Sequence, residues 1–186
     1  MTDDRLREEV ICSERLYEGK IVSLRVDTVK LSSGVTATRE VIEHAHAVAM
    51  VPLTDGGEVI LVRQFRLPTG RVLLEIPAGV IDPGEDPAEA AQRELAEEIG
   101  CHAGRLERLL SVYLAPGYST ELIHIFLAAN LVKEDRQADE DEIIATERLP
   151  LSEARRLVLA GEIQDAKTAV GILAASAQGR KVPCAP

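Results

Sequence analysis

Between Gly79 and Cys101 the chain carries its strongest constraint: a turn, a capped helix and a run of glutamates at fixed spacing. Pro83-Gly84 marks the turn. Asp86 is suited to cap free N–H groups, Pro87 has no N–H to lose at the first helical position, and Glu89 can reach back three residues as in a capping box. Gly100 is placed to end the helix. Ala91, Leu95 and Ile99 recur every four residues and form a core-facing stripe, while Glu94, Glu97 and Glu98 converge on an adjoining face. Glu94 and Glu98 stand four apart, which costs an isolated helix roughly 0.2–0.5 kcal/mol, and Arg93 offsets only part of it. A hard divalent cation would reverse that cost. Oxygen-only ligands without His or Cys at matching spacing favour Mg²⁺ or Mn²⁺ over zinc. A solvated acidic face is the competing reading of the helix taken alone.

On either side the pattern alternates between strands and helices. Val22, Leu24 and Val26 alternate before the turn Ser32-Ser33-Gly34, and Val35 to Ile42 follow, so residues 1–45 are expected to form a small antiparallel strand unit. Ala47 to Leu53, the turn Thr54-Asp55-Gly56-Gly57 and Val59 to Phe65 read as a second hairpin, apolar enough to be buried on both faces. Strands are also expected at Leu106 to Leu114 and Leu122 to Leu131, then an acidic loop from Asp135 to Glu142. Helices are expected from Ser152, as a capping residue, to Ala160, and from Asp165 to Ala177 with Val170, Leu173 and Ala174 as the apolar side. This is an α/β chain: a mixed central sheet covered by helices over residues 46–186, preceded by the N-terminal unit.

Composition narrows the function. Thirty-one acidic residues against 21 basic ones give a net charge of −10, which disfavours a nucleic-acid polymer as partner. The three cysteines, Cys12, Cys101 and Cys184, form no C-x-x-C pair, so neither a disulfide framework nor a zinc site is indicated and a cytoplasmic setting fits. Met1 to Val10 lacks the apolar core of a secretion signal, and no apolar run approaches the roughly 18 to 20 residues of a membrane span.

The full spacing of the glutamate segment goes further. Gly79, five residues, Glu85, seven residues, Arg93-Glu94-Leu95, one residue, Glu97-Glu98, one residue and Gly100 together resemble the Nudix box. The chain departs from it only at the last position, where Cys101 replaces a bulky aliphatic residue. The resemblance implies the family's α/β/α sandwich and hydrolysis of a nucleoside diphosphate linked to another group. It implies that Glu94 and Glu98 are the principal metal ligands, Glu97 a further ligand or water-holder, and the Ala78 carbonyl a backbone ligand. Glu85 would support the metal site and Arg93 would orient the glutamates through charge-assisted hydrogen bonds.

Pro116, sixteen residues after Gly100 in Ala115-Pro116-Gly117-Tyr118-Ser119-Thr120-Glu121, resembles the downstream proline of the ADP-ribose pyrophosphatase subgroup. Arg39-Glu40, Arg63-Gln64-Phe65-Arg66 and Glu75-Ile76-Pro77-Ala78-Gly79 are similar to that subgroup as well. The resemblance implies substrate-binding roles for Arg39, Glu40, Arg66 and Glu121; guanidinium groups suit a diphosphate because they bind its oxygens in pairs. In Asp139-Glu140-Asp141-Glu142, Glu140 matches a general base and Glu142 an additional metal contact. A shift of two residues in register would exchange those two roles. The implied reaction on ADP-ribose yields AMP and ribose 5-phosphate.

Aromatic side chains are scarce, and Tyr17, Phe65 and Tyr118 are the candidates for stacking on a base. Members of the subgroup commonly exchange N-terminal strands across a two-fold homodimer, a role open to residues 1–45. Another nucleoside diphosphate sugar, such as GDP-mannose or ADP-glucose, is the nearest rival substrate. A sensor that binds ADP-ribose without cleaving it is the rival of another class; it would carry a degraded box and a basic appended domain.

Overall fold

A computed structural model of the chain describes residues 3–134 and 144–178. Its described residues fall into two compact units, one up to His46 with Tyr113–Leu122 added, the other formed by Ala47–Val112 and the residues from Ile123 onward.

The first unit is a three-stranded antiparallel sheet ordered β1 (Glu8–Glu18), β2 (Val22–Leu31), β3 (Thr36–His44). The alternation of Val22, Leu24 and Val26 does lie on a strand, and Gly34, at φ 85°, makes the turn into β3. Every residue of β1 is exposed, including Val10, Ile11, Leu16 and Tyr17. Asp27 of β2 is buried, and it accepts hydrogen bonds from Ser13 of β1 and from Arg25, which also pairs with Glu43 of β3. The segment containing Pro116 pairs with β3: the Ile42 N–H donates to the Tyr118 carbonyl at 2.7 Å and the Thr120 N–H to the Ile42 carbonyl at 3.0 Å.

The second unit is built on the mixed sheet β7 (Ala78–Val80), β4 (Ala47–Pro52), β9 (Leu122–Lys133), β8 (Cys101–Tyr113). β4 runs antiparallel to β7 and parallel to β9, and all six of its residues are buried. Side chains alternate across the strands. Ala49 and Val51 of β4 and Ile125 and Leu127 of β9 join one core cluster with Ala154 of α2 (Leu151–Leu159) and Ile172 of α3 (Ala166–Ala177). Val48, Met50, Phe126 and Ala128 join another with Ala90, Ala91 and Leu95 of α1 (Pro87–Ile99). Helices thus cover both faces, giving the expected α/β/α sandwich. α3 lies so close that a Cβ at Gly171 would come within 3.0 Å of side-chain atoms of Ile76 and Val51.

Three expectations are corrected. β4 and β5 (Glu58–Arg66) do not pair as a hairpin; beyond a single bridge, Leu53 to Val59, they belong to different sheets, and β5 lies between β10 (Ala145–Pro150) and β6 (Arg71–Glu75). β4 finds its partners in β7 and β9 because a strand buried on both faces fits the centre of a covered sheet. α2 starts at Leu151 with Pro150 at its cap and no side-chain cap bond, so Ser152 lies inside the first turn. In α3 the buried face is Lys167, Thr168, Gly171, Ile172 and Ala175, whereas Leu173 is exposed. Pairing over long range and a buried polar turn overrode local apolarity there.

Candidate active site

α1 forms as its sequence demands. Asp86 accepts the Ala88 N–H at 2.8 Å, Pro87 occupies the first turn, and Gly100 closes the helix at φ 61° with its N–H on the Leu95 and Ala96 carbonyls. Burial of Ala91 and Leu95 fixes the helix rotation, and burial of a Leu-sized side chain contributes about 1.5–3 kcal/mol. With that stripe facing the sheet, the glutamates are turned toward the loop that precedes the helix.

Arg93 organises them. Its Nε donates to Glu85 Oε1 and its Nη2 to Glu85 Oε2, both at 3.0 Å; Nη1 donates to Glu94 Oε1 at 2.6 Å and to Glu97 Oε2 at 3.1 Å; Nη2 also reaches the Val80 carbonyl at 2.9 Å. The hydrogen bond with Glu85 is the main cause raising the Arg93 pKa above its ordinary value, against partial desolvation. The same bond holds Glu85 below its ordinary value, with some opposition from burial.

Glu94 and Glu98 meet neighbouring residues of β7. The Ala78 N–H donates to Glu98 Oε2 at 3.1 Å, and a Cβ on Gly79 would overlap the Glu94 carboxylate. Glycine at 79 lets that carboxylate occupy the space a side chain would take, so any larger residue would displace it. The donors gathered here are all hard oxygens, which fits a divalent cation of the Mg²⁺ type. Among the described residues no three His, Cys, Asp or Glu side chains are already arranged to take one cation, and Arg93 and the Ala78 N–H engage the carboxylates.

Arg66 ends β5 and pairs with Glu75, the last residue of β6, through Nε to Oε1 at 2.9 Å and Nη2 to Oε2 at 2.8 Å. It sits in the same unit as the glutamates. Arg39, Glu40 and Glu121 belong to the other unit. There Arg39 pairs with Glu8, Nε to Oε2 at 3.0 Å and Nη2 to Oε1 at 2.5 Å; Glu40 is exposed; and Glu121 stands 3.9 Å from His44. Glu140 and Glu142 lie outside the described residues. Phe65, Tyr17 and Tyr118 are all exposed. Sequence reasoning marked Glu75 only within the Glu75–Gly79 segment and Asp165 only as the start of a helix, and it did not mark Lys167; the available signal was a lysine inside an apolar helical stretch, Lys167 in Ala166–Ala177.

A carboxylate-bearing helix laid against a glycine-opened strand, on an α/β/α sandwich, suits a divalent cation and the hydrolysis that such a cation assists. Residues 43–169 match the family model of the NUDIX domain, and residues 8–42 match that of the nucleoside diphosphate sugar hydrolase N-terminal domain. The chain therefore belongs to the Nudix family and is a pyrophosphohydrolase of that family. It is 41% identical over 169 residues, 90% of this chain and 91% of the relative, to a Bacillus subtilis (strain 168) protein named ADP-ribose pyrophosphatase. It is 35% identical over 146 residues, 73% and 76% of the two chains, to a GDP-mannose pyrophosphatase of Yersinia enterocolitica. A crystal structure of an ADP compounds hydrolase matches 94% of this chain and 97% of its own, with TM-score 0.84 and 28% identity. No described helix is long and apolar enough to cross a membrane.

Proposed function

We propose that the protein hydrolyses the diphosphate bond of ADP-ribose to AMP and ribose 5-phosphate with Mg²⁺, for which Mn²⁺ is a substitute. The observation that carries this reading is the placement of Glu98 on the Ala78 N–H and of the Glu94 carboxylate over Gly79, together with the 41% identity to a protein named ADP-ribose pyrophosphatase. A bound divalent cation supplies charge neutralisation on the phosphoryl oxygens and a lower pKa for the attacking water. Glu94, Glu98 and the Ala78 carbonyl would hold it, with Glu142 as an additional contact and Glu97 as ligand or water-holder.

The remaining residues position and move protons. Arg93 keeps Glu85, Glu94 and Glu97 in register. Arg66 holds the diphosphate, and Arg39, Glu40 and Glu121 contribute to substrate binding. Glu140 accepts the proton of the attacking water as its oxygen bonds to one phosphorus and the bridging P–O bond breaks. Residues 1–45 serve as the N-terminal strand unit and 46–186 as the catalytic domain. The exposed apolar side chains of β1 support an exchange of those strands in a homodimer. The cysteine usage supports a cytoplasmic setting.

A second reading, another nucleoside diphosphate sugar such as GDP-mannose, is favoured by the Yersinia relative's name. Products identified from ADP-ribose, GDP-mannose, ADP-glucose and a nucleoside triphosphate under one set of conditions test both. The highest kcat/KM is expected for ADP-ribose; a higher value for GDP-mannose selects the second reading, and cleavage of none contradicts both.

A further inference from the structure

Glu75 is 1% exposed, yet it faces two cations. Besides the paired bonds from Arg66, its Oε2 accepts a hydrogen bond from the Nζ of Lys167, which is buried in the first turn of α3. Lys167 also pairs with Asp165 at 3.1 Å. Asp165 caps α3 by accepting the Thr168 N–H at 2.9 Å and the Thr168 hydroxyl at 2.5 Å, and Thr168 Oγ1 accepts the Ile76 N–H at 2.8 Å. The bonds thus close a ring from Arg66 through Glu75, Lys167, Asp165 and Thr168 back to the strand segment that continues into Ala78.

Lysine and glutamate are almost never this buried without a partner, and a buried ion pair is weak evidence for a contribution to stability. The ring therefore calls for another use. Arg66 is its one partly exposed member on the β5 side, and among the described residues its Nη1 carries no hydrogen bond. The Glu98 charge also favours the charged form of Arg66, after the larger contributions of Glu75 and Asp165. Glu75 accepts both parallel bonds of Arg66 and so acts as a bidentate clamp, while Lys167 and, through it, Asp165 fix the carboxylate from the α3 side.

We propose that Lys167 is a positioning residue for diphosphate recognition: it fixes the Glu75 carboxylate, which in turn holds Arg66 in one orientation by a bidentate pair. The inference rests on the reading that Arg66 binds the diphosphate, and it adds α3 to the specificity machinery. It also explains why this helix buries Lys167 and Thr168 on a face otherwise made of small and apolar residues.

The test uses the full chain and reads KM and kcat for ADP-ribose, together with calorimetric binding of inorganic diphosphate in the presence of a chelator. Lys167→Met is expected to raise KM and weaken diphosphate binding about tenfold while kcat stays within about threefold, and Lys167→Arg is expected to recover most of the loss. In an Arg66→Ala background, Lys167→Met is expected to have no further effect on diphosphate binding. Should Lys167→Met not fold, Glu75→Gln/Lys167→Met removes both buried charges at once and is read the same way, because a glutamine leaves Arg66 only one acceptor. A folded variant with unchanged KM, or an equal loss in the Arg66→Ala background, overturns the proposal while leaving ADP-ribose hydrolysis by the wild type intact. A wild type that cleaves no nucleoside diphosphate sugar overturns both.

Discussion

Arg93 and Glu85 are joined by two parallel hydrogen bonds of 3.0 Å each, and through this pair the loop before α1 fixes the guanidinium that reaches Glu94 and Glu97. A lysine provides one charge at one point and cannot reproduce the fork. Arg93→Lys is therefore expected to lower kcat about 10- to 100-fold and to raise the cation concentration needed for half-activity, with circular dichroism unchanged. Wild-type kcat in this variant would show that the fork is dispensable.

Glu98 accepts the Ala78 N–H, and a glutamine at that position keeps an acceptor oxygen while losing the charge. Glu98→Gln is expected to reduce turnover by about a hundredfold or more and to leave the thermal unfolding midpoint nearly unchanged. Steady-state kinetics beside a melting curve decides it. A well-folded variant that keeps most of its activity contradicts the ligand assignment.

Gly79 leaves room for Glu94. The methyl of Gly79→Ala would occupy the position of the Glu94 carboxylate, so the side chain must leave the Ala78–Gly79 peptide. The outcome expected is a folded protein with cation affinity reduced about tenfold or more, measured by titrating activity with Mg²⁺. Unchanged half-saturation would mean that Glu94 does not act from where the structure has it.

The Glu75 ring gives a pH dependence with a definite sign. Burial alone pushes the Glu75 carboxyl up, but the hydrogen bond from Arg66 and the nearby Lys167 charge overcome it and hold the carboxyl below its ordinary value. A carboxylate with a folded pKa below its unfolded one contributes stability that is complete above the unfolded value and lost as pH falls through the folded value. The stability difference between wild type and Glu75→Gln, from urea unfolding, is expected to be largest near pH 7 and to shrink below about pH 4. A difference that is constant, or grows in acid, contradicts the ionised pairing.

What could be read from the chain followed the range of the interactions. Asp86, Pro87, Gly100 and the spacing of Glu94, Glu97 and Glu98 act within one helix, so cap, stripe and carboxylate face were all legible. The mixed sandwich was also legible from the order of strands and helices. The partner of β4 was not: parallel pairing with β9 joins Ala47 to Ile123, and no local pattern specifies it. Lys167 and Glu75 are 92 residues apart, and the apolar side expected for α3 gave no place to a buried ion pair. Of the apolar side expected for α3, Val170 does pack against the core, whereas Leu173 is exposed, and close approach at Gly171 and the capped polar turn at Asp165 accompany the actual rotation.

The most direct measurement is the time course of AMP and ribose 5-phosphate from ADP-ribose, with Mg²⁺ and then with a chelator added in mid-reaction. The expected result is equimolar appearance of the two products, stopping when the cation is removed. Products in another ratio, continued turnover in chelator, or no cleavage at all would contradict a cation-dependent attack on the diphosphate at the Glu94–Glu98 site.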